Sequence, residues 1–110
     1  MVGQSKILGP FDLDTDVQDA LSQKFALGCN NIAIQAVGLT GSHNTHVVKL
    51  LVSNDGTNFV DTSYGDIAQT GVFSIIAAQG SNNPLFAFGI LKVTTPQGAT
   101  STTRYTLNIT

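Results

Sequence analysis

Two stretches of this chain carry apolar side chains on both faces of a strand. Residues 46–53 read His-Val-Val-Lys-Leu-Leu-Val-Ser. Successive side chains on a strand point to opposite faces. Val48, Leu50 and Val52 therefore share one face, while Val47 and Leu51 flank Lys49 on the other. Residues 85–93 repeat the pattern, with Phe86, Phe88 and Ile90 on one side and Ala87, Gly89, Leu91 and Val93 on the other. A free-standing antiparallel sheet ordinarily turns one apolar face to the core and one polar face to water. Something must cover the second face. In a chain of 110 residues that cover is expected from another subunit, or else from a second sheet or the N-terminal segment. Val47, Leu51, Leu91 and Val93 lie opposite the more obvious core faces and are the candidate interface residues.

The length allows one domain with one core. Charged residues make up 11% of the chain, with no Glu and no Trp, against roughly 25% charge in an average soluble domain. An apolar content of 42% with so little charge is the opposite of a disordered composition. Such a surface is poorly protected against association. The basic residues are Lys6, Lys24, Lys49, Lys92 and Arg104, scattered along a chain of net charge −2. They form no electrostatic footprint for nucleic acid. No stretch approaches the ~18 apolar residues of a membrane span. No N-terminal stretch combines a basic region with a long apolar run, as a signal peptide would. The expectation is a soluble protein made in a reducing cytoplasm, with Cys29 a buried, reduced thiol.

Residues 1–23 begin polar, break at Gly9-Pro10 and continue through Asp12, Asp14, Asp16 and Asp19. They read either as an arm that reaches a neighbour, anchored by Ile7, Leu8 and Phe11, or as a first strand of the sheet. Asp16 is placed to cap a short helix over 17–21, and an extended connection is the alternative. Residues 24–110 read as the β domain. Strand candidates lie at 24–27, 32–37, 47–52, from Phe59, at 72–78, 85–94 and 101–109. About seven strands at roughly 8–12-residue spacing mark an antiparallel β-sandwich, jelly-roll or Ig-like. In the last strand Tyr105, Leu107 and Ile109 should face in, and Arg104, Thr106 and Asn108 out. Asp55-Gly56 between apolar runs predicts a hairpin turn with positive φ at the glycine.

Candidate chemistry is sparse. The N-terminal aspartates lack the glycine and bidentate acid of an EF-hand loop and read as a solvated edge or as caps. His43 and His46 are spaced to begin a zinc site, but no third ligand is near in sequence. No Gly-x-Ser-x-Gly elbow or phosphate-binding loop is present. The chain reads as a non-enzyme without a cofactor. Phe59, Tyr64 and Tyr105 are the aromatics considered for stacking on sugars, with core packing or an interface as the alternative.

The run from Val47 to Asp61, centred on Ser53-Asn54-Asp55-Gly56-Thr57-Asn58-Phe59, resembles the Ser-x-Asp-Gly-x-x-aromatic hairpin of small β-sandwich structural proteins of tailed bacteriophages. The layout of residues 24–110 is loosely similar as well. The resemblance implies a virion protein made in the host cytoplasm, a head-decoration or auxiliary capsid subunit. It also implies self-association and contact with other virion proteins, the major capsid protein foremost, and no nucleic-acid or membrane partner. The same hairpin resembles one in discoidin-like sugar- or lipid-binding domains, which are longer and carry an N-terminal Trp. That second resemblance implies the alternative function, a carbohydrate-binding or fibre-associated receptor-binding module. Neither transfers site residues.

Overall fold

The computed structural model describes residues 6–27, 31–61, 73–79 and 86–109, with residues 31 and 73–79 described by backbone alone. Eight strands occur there: β1 (Lys6–Asp14), β2 (Phe25–Ala26), β3 (Asn31–Gly41), β4 (Val47–Ser53), β5 (Val60–Asp61), β6 (Phe73–Gln79), β7 (Phe88–Thr95) and β8 (Ser101–Ile109). They form two four-stranded sheets with orders β1-β8-β3-β6 and β2-β7-β4-β5. All pairings are antiparallel.

The pairings β1–β8, β2–β7, β3–β6 and β4–β5 have a simple rule. The chain is one long hairpin, wrapped so that successive pairs fall in alternate sheets. This is the jelly-roll winding, and it decides between the two sandwich topologies the sequence left open. The tip of that hairpin is the connection between β4 and β5, where Asp55 and Gly56 lie.

The core is built from cross-strand pairs on facing inner surfaces. In the first sheet Ile32 stands opposite Ile109, Ile34 opposite Leu107 and Ala36 opposite Tyr105. In the second, Val48 stands opposite Val93 and Leu50 opposite Leu91. All ten side chains are buried, and each large one contributes about 1.5–3 kcal/mol by leaving water. The inward set expected on β8 is the one observed, with Arg104 and Asn108 exposed and Thr106 half-buried.

Two interface candidates are corrected by this register. Leu91 and Val93 are fully buried within the chain and belong to the core. β7 takes its inward face from its neighbour: pairing with Leu50 and Val48 turns Leu91 and Val93 inward and leaves Phe88 and Ile90 half-buried outside. Phenylalanine bulk suggested the reverse. Val47 and Leu51 do lie on the outer face of their sheet, both half-buried.

Of the two readings for the N-terminal segment, Lys6–Asp14 is a strand paired along β8. Leu8 and Phe11 pack against the chain's own core rather than a neighbour, and Phe11 stacks on Phe25 with ring centroids 5.5 Å apart. Ile7 points outward and is 63% exposed. The following residues cross to the second sheet and run along β7, with Asp19 N donating to Val93 O at 3.0 Å and Ser22 N to Leu91 O at 2.9 Å. Those donors are thereby withdrawn from any i→i−4 ladder. Residues 17–21 consequently form turns and not the short helix that Asp16 would have capped. On either side of residue 23 the backbone pairs with β7, through Ser22 and through Phe25. Cys29 and Tyr64 lie outside the described residues.

Candidate functional site

Polar side chains gather at the two ends of the sandwich, and the two clusters differ in kind. At one end the β3–β4 loop meets the start of β8 and the turn before it. Gln97 Oε1 accepts from the backbone N–H groups of Thr45 and His46 at 3.1 and 3.2 Å, and Gln97 Nε2 donates to Asn44 Oδ1 at 2.7 Å. Thr15 Oγ1 lies 2.6 Å from Ser101 Oγ and 3.2 Å from Thr103 Oγ1. His43 Nδ1 is 3.1 Å from Thr103 Oγ1 and 3.3 Å from Ser101 Oγ. His43 fits because residue 38 is glycine: a Cβ there would come within 2.7 Å of its ring.

His46 is buried beneath, with neither ring nitrogen hydrogen-bonded among the described residues. Burial first, and the neighbouring His43 second, hold its pKa below the ordinary 6.5. A hydroxyl beside an imidazole is the raw material of a nucleophile. Here Ser101 and Thr15 are fully buried, so no substrate reaches the hydroxyl. The cluster pins loops together. The zinc reading of His43 and His46 gains no third ligand, since no group of three His, Cys, Asp or Glu comes together among the described residues. The N-terminal aspartates are likewise dispersed. Asp12 receives two hydrogen bonds from Arg104 at 2.8 and 3.0 Å, and Asp19 lies 3.6 Å from Lys92.

The opposite end is open. Asp55 organises the hairpin tip. Its Oδ1 accepts from Ser53 Oγ and from the N–H groups of Thr57 and Asn58, each at 2.8 Å, and its Oδ2 accepts from Asn58 Nδ2 at 2.9 Å. The backbone N–H donors of Asn58 and Thr57 are the largest of the causes that hold the Asp55 carboxyl far below the usual carboxylate range. Gly56 has φ +76°, as the sequence required, and packs against the Phe88 ring. Six residues separate β4 from β5, so the turn is a side-chain-built loop and not a two-residue hairpin.

Three segments converge on this tip. Ala87 N donates to Asn54 Oδ1 at 3.0 Å, and Ala87 O accepts from Leu27 N at 2.8 Å. The backbone of Ala87 thus ties the hairpin tip to the segment leading out of β2. Phe86 and Phe88 flank it, Phe88 half-buried and Phe86 39% exposed. Lys24 reaches over the same surface: its Nζ donates to Gly56 O at 3.1 Å and stands 5.3 Å from the centre of the Phe88 ring. The tip thus carries an exposed Phe86 and a half-buried Phe88 on either side of Ala87, with Lys24 over the Phe88 ring and Asn54 bound to the Ala87 backbone.

Of the aromatics considered for sugar stacking, Tyr105 is in the core, 1% exposed, and Phe59 is half-buried. Phe86, the most exposed aromatic among the described residues, was assigned to the core side of β7 by its sequence pattern. Its place just after the Asn83-Pro84 break was the signal that it precedes the strand.

No protein-family model matches this sequence, and no curated protein does. Solved structures with a similar fold are found. A domain described as "CpGH89CBM32-6 produced by Clostridium perfringens" matches with TM-score 0.54 and 12% identity over 100% of this chain and 95% of its own length. One described as "CBM4 structure and function" matches with TM-score 0.48 and 11% identity over 78% of this chain and 56% of its own. The first likeness shows a shared β-sandwich fold along the whole chain.

Proposed function

We propose that this chain is a non-catalytic carbohydrate-binding β-sandwich module that holds a glycan at the hairpin-tip end. The observation that carries the reading is the exposed Phe86 two residues before Phe88, with Lys24 over the Phe88 ring and Asn54 bound to the Ala87 backbone between them. Sugars present apolar C–H faces and equatorial hydroxyls. Aromatic rings with a few placed polar groups answer both. The fold shared with a domain whose name includes CBM32, a carbohydrate-binding module, supports the same reading. Fold alone does not carry it, because jelly rolls serve in both lectins and capsids. A glycan array probed with the fluorescently labelled protein tests it. Retention on a subset of glycans, reduced at least tenfold by Phe86→Ala at unchanged melting temperature, is expected. No retention on any glycan would overturn it.

A second reading, a virion decoration subunit that assembles with itself and with capsid protein, is favoured by a different surface. The outer face of the first sheet carries a shallow groove of about 280 Å³, lined by Ile7, Ala33, Gln35, Thr106 and Asn108. No charged side chain lines it, in keeping with the depletion of charge at interface cores. Sedimentation velocity across a concentration range tests this reading. Self-association weakened by Ile7→Asp supports it, and a monomer throughout counts against it.

A further inference from the structure

We infer that the glycan held at the hairpin tip is an anionic one, its carboxylate or sulfate received by Lys24. This inference rests on the carbohydrate-binding reading and names the ligand class of that same surface.

Lys49 lies 3.3 Å from Asp61, Lys92 3.6 Å from Asp19, and Arg104 2.8 Å from Asp12. Lys24, like Lys6, makes no ion pair among the described residues, but Lys24 alone of the two lies against an aromatic ring there. Its contacts are a backbone carbonyl and an aromatic face. The nearby acid at the tip, Asp55, has both carboxylate oxygens occupied by the turn it builds. The Asp55 carboxylate, ionised and bound into the turn, makes no ion pair with Lys24 among the described residues.

Lys24 is also held in place. A lysine side chain in water samples many rotamers, and ordering it on binding costs entropy. Here the Gly56 carbonyl takes one N–H and the Phe88 face attracts the charge. Two N–H donors remain to face an incoming group. A cation with spare donors over the half-buried Phe88 ring, two residues from the exposed Phe86, matches a sugar that carries an acid on one edge and an apolar face. Neutral sugars would use the aromatic rings and leave the cation without a counter-charge.

Paired glycans that differ only in charge test this by isothermal titration. The probes are 3′-sialyllactose against lactose, and a galacturonan trimer against its methyl ester. For at least one pair the acid is expected to bind tenfold or more tightly at low ionic strength, with the gap narrowing as salt rises. Lys24→Gln should abolish the gap at unchanged melting temperature, and Lys24→Arg should keep most of it. Equal or tighter binding of the neutral members, or a gap that survives Lys24→Gln, overturns this inference and leaves the carbohydrate-binding reading standing. If neither member of either pair binds, and the array retains only neutral glycans, the inference falls alone. If the array retains nothing, both fall.

Discussion

The ring of His43 stands edge-on to the ring of buried His46, centroids 5.5 Å apart and planes at 85°. A proton on His46 would have to enter a buried site beside a second imidazole. Its folded pKa is therefore held below the ordinary 6.5, while the unfolded chain titrates near that value. Below about pH 7 the unfolded state binds more protons, so acid favours unfolding. Stability is fully present above 6.5 and is lost as pH falls from there towards the folded value. Denaturant melts between pH 7.5 and 4.5 should show this loss, with a contribution from His46 of at most about 1.4 kcal/mol per pH unit. His46→Phe should flatten the profile in that window. An unchanged slope would show that His46 is not the group responsible.

Gly56 sits at φ +76°, and a Cβ there would stand 3.2 Å from Lys24 Nζ and 3.4 Å from the Phe88 ring. Gly56→Val should cost about 1 kcal/mol or more, since a β-branched residue is strained there. An unaltered melting temperature would contradict the geometry of the tip. Asp55→Ala should also destabilise, because it removes the acceptor of two backbone donors. The Asp55 carboxyl is held below its ordinary 3.8. Its contribution is thus present above that value and is lost as pH falls below it.

Leu91 separates a core role from an interface role. It is fully buried opposite Leu50. Leu91→Ala should cost about 2–5 kcal/mol in chemical denaturation and leave the association state of the surviving native protein unchanged. Leu51→Ala, on the half-buried outer face, should cost less. A smaller stability cost for Leu91→Ala than for Leu51→Ala would contradict the burial of Leu91 in the core.

Much of the sandwich was legible because period-2 patterning is strong where one face is buried. Ile32, Ile34 and Ala36, and Tyr105, Leu107 and Ile109, lie inward as their alternation required. The pattern misled on β7, where both faces are apolar and only the pairing with β4 decides which turns in. The N-terminal strand was ambiguous because its exposed edge position tolerates polar residues and a proline. The Asp55 turn was readable from local chemistry. The grouping at the tip was not, since Lys24, Asn54 and Phe86 come from segments far apart in sequence, brought together by the backbone of Ala87 and by Lys24 itself.

The central claim is that a glycan binds at the hairpin tip, and amide chemical-shift mapping tests it most directly. A uniformly ¹⁵N-labelled sample is titrated with each glycan the array retains, the acidic probes included. The account predicts shifts concentrated at Lys24 to Leu27, Asn54 to Asn58 and Phe86 to Phe88, saturating with ligand. Shifts confined to the outer face of the first sheet around Ala33 and Thr106, or none with any glycan, would contradict it.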